Sequence, residues 1–151
     1  REQDTDRLRR RIKQTGLSFV RQKLDFGDYS AKTTLDNGTE FDISSSVSIE
    51  RKMNLDELCA CYCKGRKRFT REFERAKSAG AKVYLLIENA SWENTFNGKY
   101  RSKMTSSALT ASMFAWLARY NCQIIFCKEE TSGKIIREIL YREMKERLEN
   151  G

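Results

Sequence analysis

The chain is organised around two short motifs, Gly27-Asp28-Tyr29 and Glu50-Arg51-Lys52, and Asp56 follows the second one. If residues 47–52 form a strand, the side chains of Glu50 and Lys52 point to the same face, because side chains alternate along a strand. Asp28 and Glu50 supply the hard oxygen ligands that a divalent cation requires. A cation there would polarise a phosphate and lower the pKa of a bound water, and the lysine would stabilise negative charge. The combination predicts a site for metal-dependent phosphodiester cleavage.

The composition of the 151-residue chain narrows the chemistry that it can perform. The chain has no histidine, which excludes a Ser-His-Asp triad, a histidine-dependent nuclease and a zinc finger with histidine ligands. Acid and base chemistry must therefore fall to carboxylates, lysine, tyrosine or metal-bound water. Five cysteines without a secretion signal favour reduced thiols and a cytoplasmic or nuclear location. No apolar run approaches the ~20 residues of a membrane span, so we expect no membrane partner.

The net charge of +8 favours a polyanionic partner such as DNA over simple solubility. Two basic segments are the candidate contacts with phosphate, a predicted helix at 66–79 and a predicted loop at 97–103. A solvated charged face is the alternative for the helix, and for the loop both interpretations remain open. The candidate nucleic-acid-binding residues are Arg66, Lys67, Arg68, Arg71, Lys99, Arg101 and Lys103.

The hydrophobic pattern predicts an α/β fold, with a central mixed β-sheet and helices on both of its faces. We expect a helix over 3–15, a strand over 17–24 and a hairpin whose arms flank Asn37-Gly38. Residues 47–52 are predicted to form a central strand, followed by a helix that Asn54 caps with Glu57 in a capping box. The next predicted elements are a helix at 66–79, a strand at 83–87 and a mobile polar loop at 91–106. They are followed by a helix that Ser106 or Ser107 caps and that ends at 120, and by a strand at 122–127. The last helix begins at Thr131 or Ser132. That helix either covers the sheet or forms a dimer seam.

Several polar side chains have two interpretations on the sequence alone. Asp28, Glu50 and Lys52 form either the catalytic site or a surface salt bridge. Asp42 is either a further acid of the site or a surface residue of the hairpin. Glu88 either supports the site or marks the end of a buried strand.

The two motifs resemble those of the XPF-type structure-specific nuclease family, which carries a Gly-Asp pair followed by Glu-Arg-Lys-x-x-x-Asp. Here the pair is Gly27-Asp28, and the second motif runs from Glu50 to Asp56. The resemblance extends over residues 17–127, because residues 65–69 resemble the family's basic helix and residues 85–88 resemble its next buried strand. It implies a single restriction-endonuclease-like domain over 1–151, which cuts DNA near flaps or junctions and uses Mg²⁺ or Mn²⁺.

The resemblance also implies a role for each motif residue. Asp28 and Glu50 would bind the metal, Lys52 would lie at the attacking water, and Arg51 and Asp56 would orient the site or the DNA. The implied partners are branched or flapped DNA and a second subunit in a homodimer or heterodimer. The alternative function is a nuclease-like DNA-binding or dimerisation module without cleavage activity. The intact acids and lysine argue against it, because a degenerate copy is expected to lose at least one of them.

The sequence departs from the family pattern at its beginning. Family members start with a strand that ends in Asp-x-Arg-Glu, and Arg1-Glu2 resemble the end of that motif. We therefore expect the first strand and its acid to be missing from this sequence. A helix-hairpin-helix DNA-binding domain, which members often append, is not visible after Cys127.

Overall fold

The structure of the chain is a computed structural model that describes residue 6 and residues 24–150. The predicted helix over 3–15 and the predicted strand over 17–24 lie outside the described residues, apart from Asp6 and Leu24. Within the described part of the chain, none of the helices combines the length and the apolar character needed to cross a membrane.

Five strands of the described residues form two separate sheets. In chain order they are β1 (Lys32–Thr34), β2 (Glu40–Asp42), β3 (Val47–Lys52), β4 (Lys82–Glu88) and β5 (Cys122–Cys127). The strands β3, β4 and β5 form a parallel sheet with β4 in the middle, whereas β1 and β2 form an antiparallel hairpin. Among the described strands, β3 pairs with β4 along one edge. The strand β4 lies between β3 and β5, and its continuous apolar run suits a strand that helices cover on both faces.

The other edge of β3 pairs with the segment that contains the first motif. Tyr29 and Ile49 form an antiparallel bridge, and the Ile49 N–H donates a hydrogen bond of 2.8 Å to the Tyr29 carbonyl. Within the described residues, this bridge is the antiparallel part of the main sheet. It places the segment that carries Asp28 directly beside the strand that carries Glu50.

Helices cover both faces of the parallel sheet, which confirms the predicted α/β fold class. They are α1 (Leu55–Tyr62), α2 (Arg66–Ser78), α3 (Trp92–Phe96), α4 (Ser106–Arg119) and α5 (Ser132–Asn150), with a 3-10 turn before the last one. Helices α1, α2 and α4 enclose the larger core, in which Phe73 and Trp116 are almost fully buried. Helix α5 covers the opposite face, where Ile136 and Leu140 pack against Ile49 and Leu86.

Two helix starts differ in detail from the predictions. Asn54 caps α1 as expected and accepts a hydrogen bond of 2.9 Å from the Glu57 N–H. The Glu57 carboxylate, however, accepts from the Met53 N–H, at 3.3 Å, and not from the Asn54 N–H that a capping box uses. Helix α4 is capped by Thr105, one residue before the predicted Ser106. The predicted polar loop over 91–106 contains α3, because Ser91 caps a short helix there.

A charge network fixes α5 to the beginning of β4. The Glu143 carboxylate accepts hydrogen bonds from Lys82 Nζ at 2.8 Å, from Arg147 Nη1 at 2.6 Å and from the Tyr84 hydroxyl. Burial by itself would raise the pKa of Glu143, but these three donors outweigh it and lower the pKa from 4.5 to about 2. The network therefore stabilises the fold as long as this carboxylate is ionised.

We expect this network to make stability depend on pH below 4.5. Because the pKa of Glu143 is lower in the folded state, its contribution is complete above the unfolded-state value and is lost as the pH falls toward about 2. The contribution near neutral pH is on the order of 1 kcal/mol, because solvent screens much of the interaction. Urea denaturation should show Glu143→Gln less stable than the wild type at pH 6, with a smaller difference at pH 3. Glu138→Gln, at an exposed position of the same helix, is the control. A difference that stays constant over this range would contradict the prediction.

Candidate functional site

The Asp28 side chain is held against the end of β3 by main-chain hydrogen bonds. The N–H groups of Asp28 and Tyr29 donate to the Ile49 carbonyl at 2.7 and 3.1 Å. Asp28 Oδ2 accepts a hydrogen bond of 2.8 Å from the Arg51 N–H. The two motifs, which lie 23 residues apart in sequence, are therefore joined at one strand end.

The turn before Asp28 fits against β3 only because residue 27 is glycine. Gly27 has φ +79°, and a Cβ atom there would lie 2.3 Å from Ser48 Oγ and 2.6 Å from Ser48 Cβ. The Gly27 N–H donates a hydrogen bond of 2.9 Å to Glu72 Oε1 on α2. Glu72 is a residue that the sequence analysis missed. The sequence offered one signal for it, because Glu72 is an acid within a helix whose other charged residues are mostly basic.

We expect Gly27→Ala to displace Asp28 and to abolish most of the activity of this site. The methyl group would collide with Ser48 at a φ that residues with a side chain rarely adopt. The expected cost is about 1–3 kcal/mol in the free energy of unfolding. Denaturation and a cleavage assay on the same variant would measure both effects.

Gly38→Ala is the matched control for this change. Gly38 has a similar φ of +83°, but a Cβ atom there meets nothing within 4 Å. It should lose stability through backbone strain without losing activity. Ser48→Gly added to Gly27→Ala should restore part of the activity, because it removes the colliding side chain. Equal activity losses at Gly27 and Gly38 would contradict the steric argument.

Glu50 and Lys52 form a buried ion pair on the face of β3 toward α1 and α2. Lys52 Nζ lies 2.8 Å from Glu50 Oε2, and the two residues are 8% and 5% exposed. The Lys52 ammonium also lies over the Phe69 ring, 5.1 Å from its centre. The pairs Glu50–Leu85 and Lys52–Ile87 are in register across the sheet, which places both charges beside the larger core. A surface salt bridge is therefore the wrong description of this pair.

Burial and neighbouring charges shift the pKa of both residues of this pair. Burial raises the pKa of Glu50, and the nearby Asp28 carboxylate raises it further, although Lys52 opposes the shift. Burial by itself would lower the pKa of Lys52, but the Glu50 carboxylate outweighs it and raises that pKa. Two carboxylates thus repel each other at a site with a single buried lysine, and an added cation would relieve that repulsion.

The residues of this site fit a divalent cation with few protein ligands. Glu50 Oε1 is buried and has no hydrogen-bond partner among the described residues, although a buried carboxylate oxygen normally has one. The described residues contain no group of three or more His, Cys, Asp or Glu side chains arranged to hold a metal. Mg²⁺ does not require such a group, because it is commonly held by one or two carboxylates together with water and substrate phosphates. Asp28 and Glu50 match that pattern.

Arg51 points to the opposite face of β3, where it forms a buried pair with Glu88. Arg51 Nε and Nη2 lie 2.8 and 2.7 Å from the two carboxylate oxygens of Glu88, which is fully buried. This bidentate ion pair joins the ends of β3 and β4. Of the two interpretations of Glu88, the structure favours the one in which this residue supports the site.

Asp56 fixes the basic loop between α3 and α4 to the site. Its Oδ1 atom accepts hydrogen bonds of 2.8 Å from both the Arg101 N–H and the Ser102 N–H. Tyr100 adds a hydrogen bond of 2.7 Å from its hydroxyl to the Met104 carbonyl. The predicted mobile loop is therefore anchored to the helix that directly follows Glu50 and Lys52.

The predicted DNA-contacting residues divide into two groups. Arg66 packs on the protein, because its guanidinium donates to the Tyr62 carbonyl at 3.1 Å and lies 5.7 Å from the centre of the Trp116 ring. Arg66 is exposed, as are the other candidates, but the others make no hydrogen bond or ion pair with described residues: Lys67, Arg68, Arg71, Lys99, Arg101 and Lys103. Asp42 is exposed on the hairpin and caps the Ser44 N–H, so the structure does not bring it into the site.

A parallel sheet flanked by helices, with two carboxylates and a buried lysine beside one strand end, fits a nuclease-type domain. A family model of the ERCC4 domain matches residues 1–139, and the chain therefore belongs to the ERCC4-domain family, which is a family of nuclease-type DNA-processing domains. No curated protein matches the chain.

Among solved structures, the chain is similar to XPF from Aeropyrum pernix, with a TM-score of 0.59 and 16% sequence identity. The match covers 87% of this chain and 53% of that chain, so this chain spans about half the length of its structural relative. The likeness confirms the XPF-type nuclease fold that the motifs predicted.

Proposed function

We propose that this chain is a divalent-metal-dependent DNA endonuclease that acts on flapped or branched duplexes. The observation that supports this proposal most strongly is the convergence of Asp28, Glu50 and Lys52 at one end of β3, with one buried oxygen of Glu50 left without a hydrogen bond. Among the described residues it is the one buried carboxylate oxygen without a hydrogen bond, and a fold built only to bind DNA has no need for it, since leaving it unpaired costs free energy.

Each residue of the site has a distinct task in this proposal. Asp28 and Glu50 would hold Mg²⁺ or Mn²⁺, which when bound supplies a water molecule of lowered pKa next to the phosphodiester. Lys52 holds Glu50 through Oε2 and places a positive charge where negative charge develops on the phosphate. Arg51 and Glu88 keep the ends of β3 and β4 together, and Asp56 holds the basic loop beside them.

The exposed cations outside the site position the DNA. Lys67, Arg68 and Arg71 lie at the beginning of α2, which follows α1 and packs on the same face of the sheet as Glu50 and Lys52. We expect replacement of these three residues by glutamine to lower the salt dependence of DNA binding by up to about 0.9 for each phosphate contact that is lost. Replacement of Arg66 should instead destabilise the fold, because its guanidinium packs on Tyr62 and Trp116. An unchanged salt dependence would show that α2 does not contact the DNA.

The proposal is tested by cleavage of a labelled flap substrate and a matched linear duplex with Mg²⁺, Mn²⁺ or a chelator. We expect cleavage only with metal, and faster cleavage of the flap. Asp28→Asn and Glu50→Gln should each reduce the rate by at least about 10²-fold, because each removes a metal ligand. Asp42→Asn, an exposed acid on the hairpin, is the control and should retain the wild-type rate. DNA binding without cleavage by the wild type would instead support a binding module.

A further inference from the structure

An exposed aromatic cluster lies at the junction of α3 and α4. The rings of Trp92 and Phe114 are stacked, with centres 5.0 Å apart and planes at 15°. The Phe96 ring lies 6.2 Å from Trp92 and 6.3 Å from Phe114. Phe96 is 56% exposed and Phe114 is 47% exposed, which makes them the two most exposed large apolar residues among those described. We call these three residues the aromatic ledge.

The protein below holds the aromatic ledge in place. The Phe126 ring of β5 contacts Trp92 edge-on, with ring centres 5.1 Å apart. Ser91 caps α3, and the buried Thr95 hydroxyl donates a hydrogen bond of 2.7 Å to the Ser91 carbonyl. The outer faces of Phe96 and Phe114 contribute little to the core, because about half of each residue remains accessible to solvent. The aromatic ledge is thus a preformed apolar surface, and its exposed part does not stabilise the fold.

The loop that follows the aromatic ledge in the chain is positively charged. The loop that links α3 to α4 carries Lys99, Arg101 and Lys103, and all three side chains are exposed. Between residues 91 and 107 the one acid is Glu93. Asp56 fixes this loop by accepting from the Arg101 and Ser102 N–H groups, and Asp56 follows Lys52 by four residues. The aromatic rings are therefore followed in the chain by a basic loop, and Asp56 fixes that loop to α1, the helix that begins after the candidate site.

We propose that the aromatic ledge and the loop cations bind unpaired nucleotides of the DNA substrate. Exposed aromatic rings beside lysine and arginine are the combination that single strands require, because bases stack on the rings and phosphates pair with the cations. A continuous duplex cannot use the rings, since its bases are already stacked on one another. The inference rests on the proposed function and adds to it a physical basis for preferring DNA with an unpaired strand.

The test measures binding of a fluorescent 15-nucleotide oligo-dT and of a matched 15-base-pair duplex in the presence of chelator. We expect the combined Phe96→Ala and Phe114→Ala variant to bind the single strand about tenfold more weakly, while duplex binding changes less than twofold. Phe96→Trp should keep the wild-type affinity, because it retains the stacking surface. Tyr141→Ala is the matched control: this tyrosine is 46% exposed and has cations of its own, but it lies on α5, across the sheet.

Four results would overturn the inference. The first is an unchanged single-strand affinity, the second is an equal loss for the single strand and the duplex, and the third is an equal loss in the Tyr141→Ala variant. The fourth is a change in oligomeric state by light scattering when the ledge is altered, which would mean that a second copy of the chain covers it. Because binding is measured without metal, failure of the cleavage proposal would leave this test intact, and the reverse is also true.

Discussion

Lys52→Met is expected to reduce DNA cleavage by about 10²–10³-fold while DNA affinity stays nearly unchanged. Lys52 Nζ lies 2.8 Å from Glu50 Oε2, and the residue is buried, so its charge acts in a site of low dielectric where it strongly affects developing negative charge. It contributes little to initial DNA contact, because the more exposed cations of α2 and the 97–103 loop meet the phosphates first. Methionine keeps most of the side-chain volume against Phe69, so the change removes mainly the charge.

Lys82→Met is the matched control for this prediction. Lys82 also pairs with a glutamate at 2.8 Å, but it begins β4, at the end of the parallel sheet opposite to the site. It should lose stability and keep cleavage. Single-turnover cleavage with excess enzyme, fluorescence anisotropy and urea denaturation would separate the rate, the DNA affinity and the fold. A loss of DNA affinity as large as the loss of rate would contradict the role given to Lys52.

Arg51→Met is expected to destabilise the fold by roughly 3–5 kcal/mol, because it removes the two charged hydrogen bonds that the guanidinium donates to the fully buried Glu88 carboxylate. Glu88→Met should have an effect of similar size for the converse reason. The double variant, with methionine at both positions, should recover most of the lost stability, since two apolar side chains can replace a buried ion pair at little net cost.

A double-mutant cycle followed by urea denaturation measures this coupling directly. If the pair only joins the ends of β3 and β4, the double variant should also recover cleavage. A stable double variant without cleavage would show that Arg51 acts on the DNA or the reacting groups, as the resemblance to XPF-type nucleases implies. A double variant as unstable as the single ones would show that the pair is not what stabilises these strand ends.

Local patterns in the sequence were enough to predict most of the helices and strands and to select the candidate residues of the site. The alternation within residues 47–52 placed Glu50 and Lys52 on one face, because the side-chain period of a strand is independent of its neighbours. Asn37-Gly38 predicted the hairpin, and Asn54 predicted the beginning of α1, since turns and caps depend on hydrogen bonds within a few residues. The absence of histidine restricted the acid and base chemistry before any contact was known.

Only the tertiary structure decided which distant residues meet. The pair between Arg51 and Glu88, the hydrogen bond from the Gly27 N–H to Glu72, and the contact of Asp56 with the 97–103 loop join residues 37 to 46 positions apart in sequence. No local pattern encodes such pairs, because they depend on the order of strands in the sheet and on the helices packed against it. The same cause explains why β4 lies between β3 and β5, why Arg66 packs on Trp116, and why Phe96 and Phe114 are exposed.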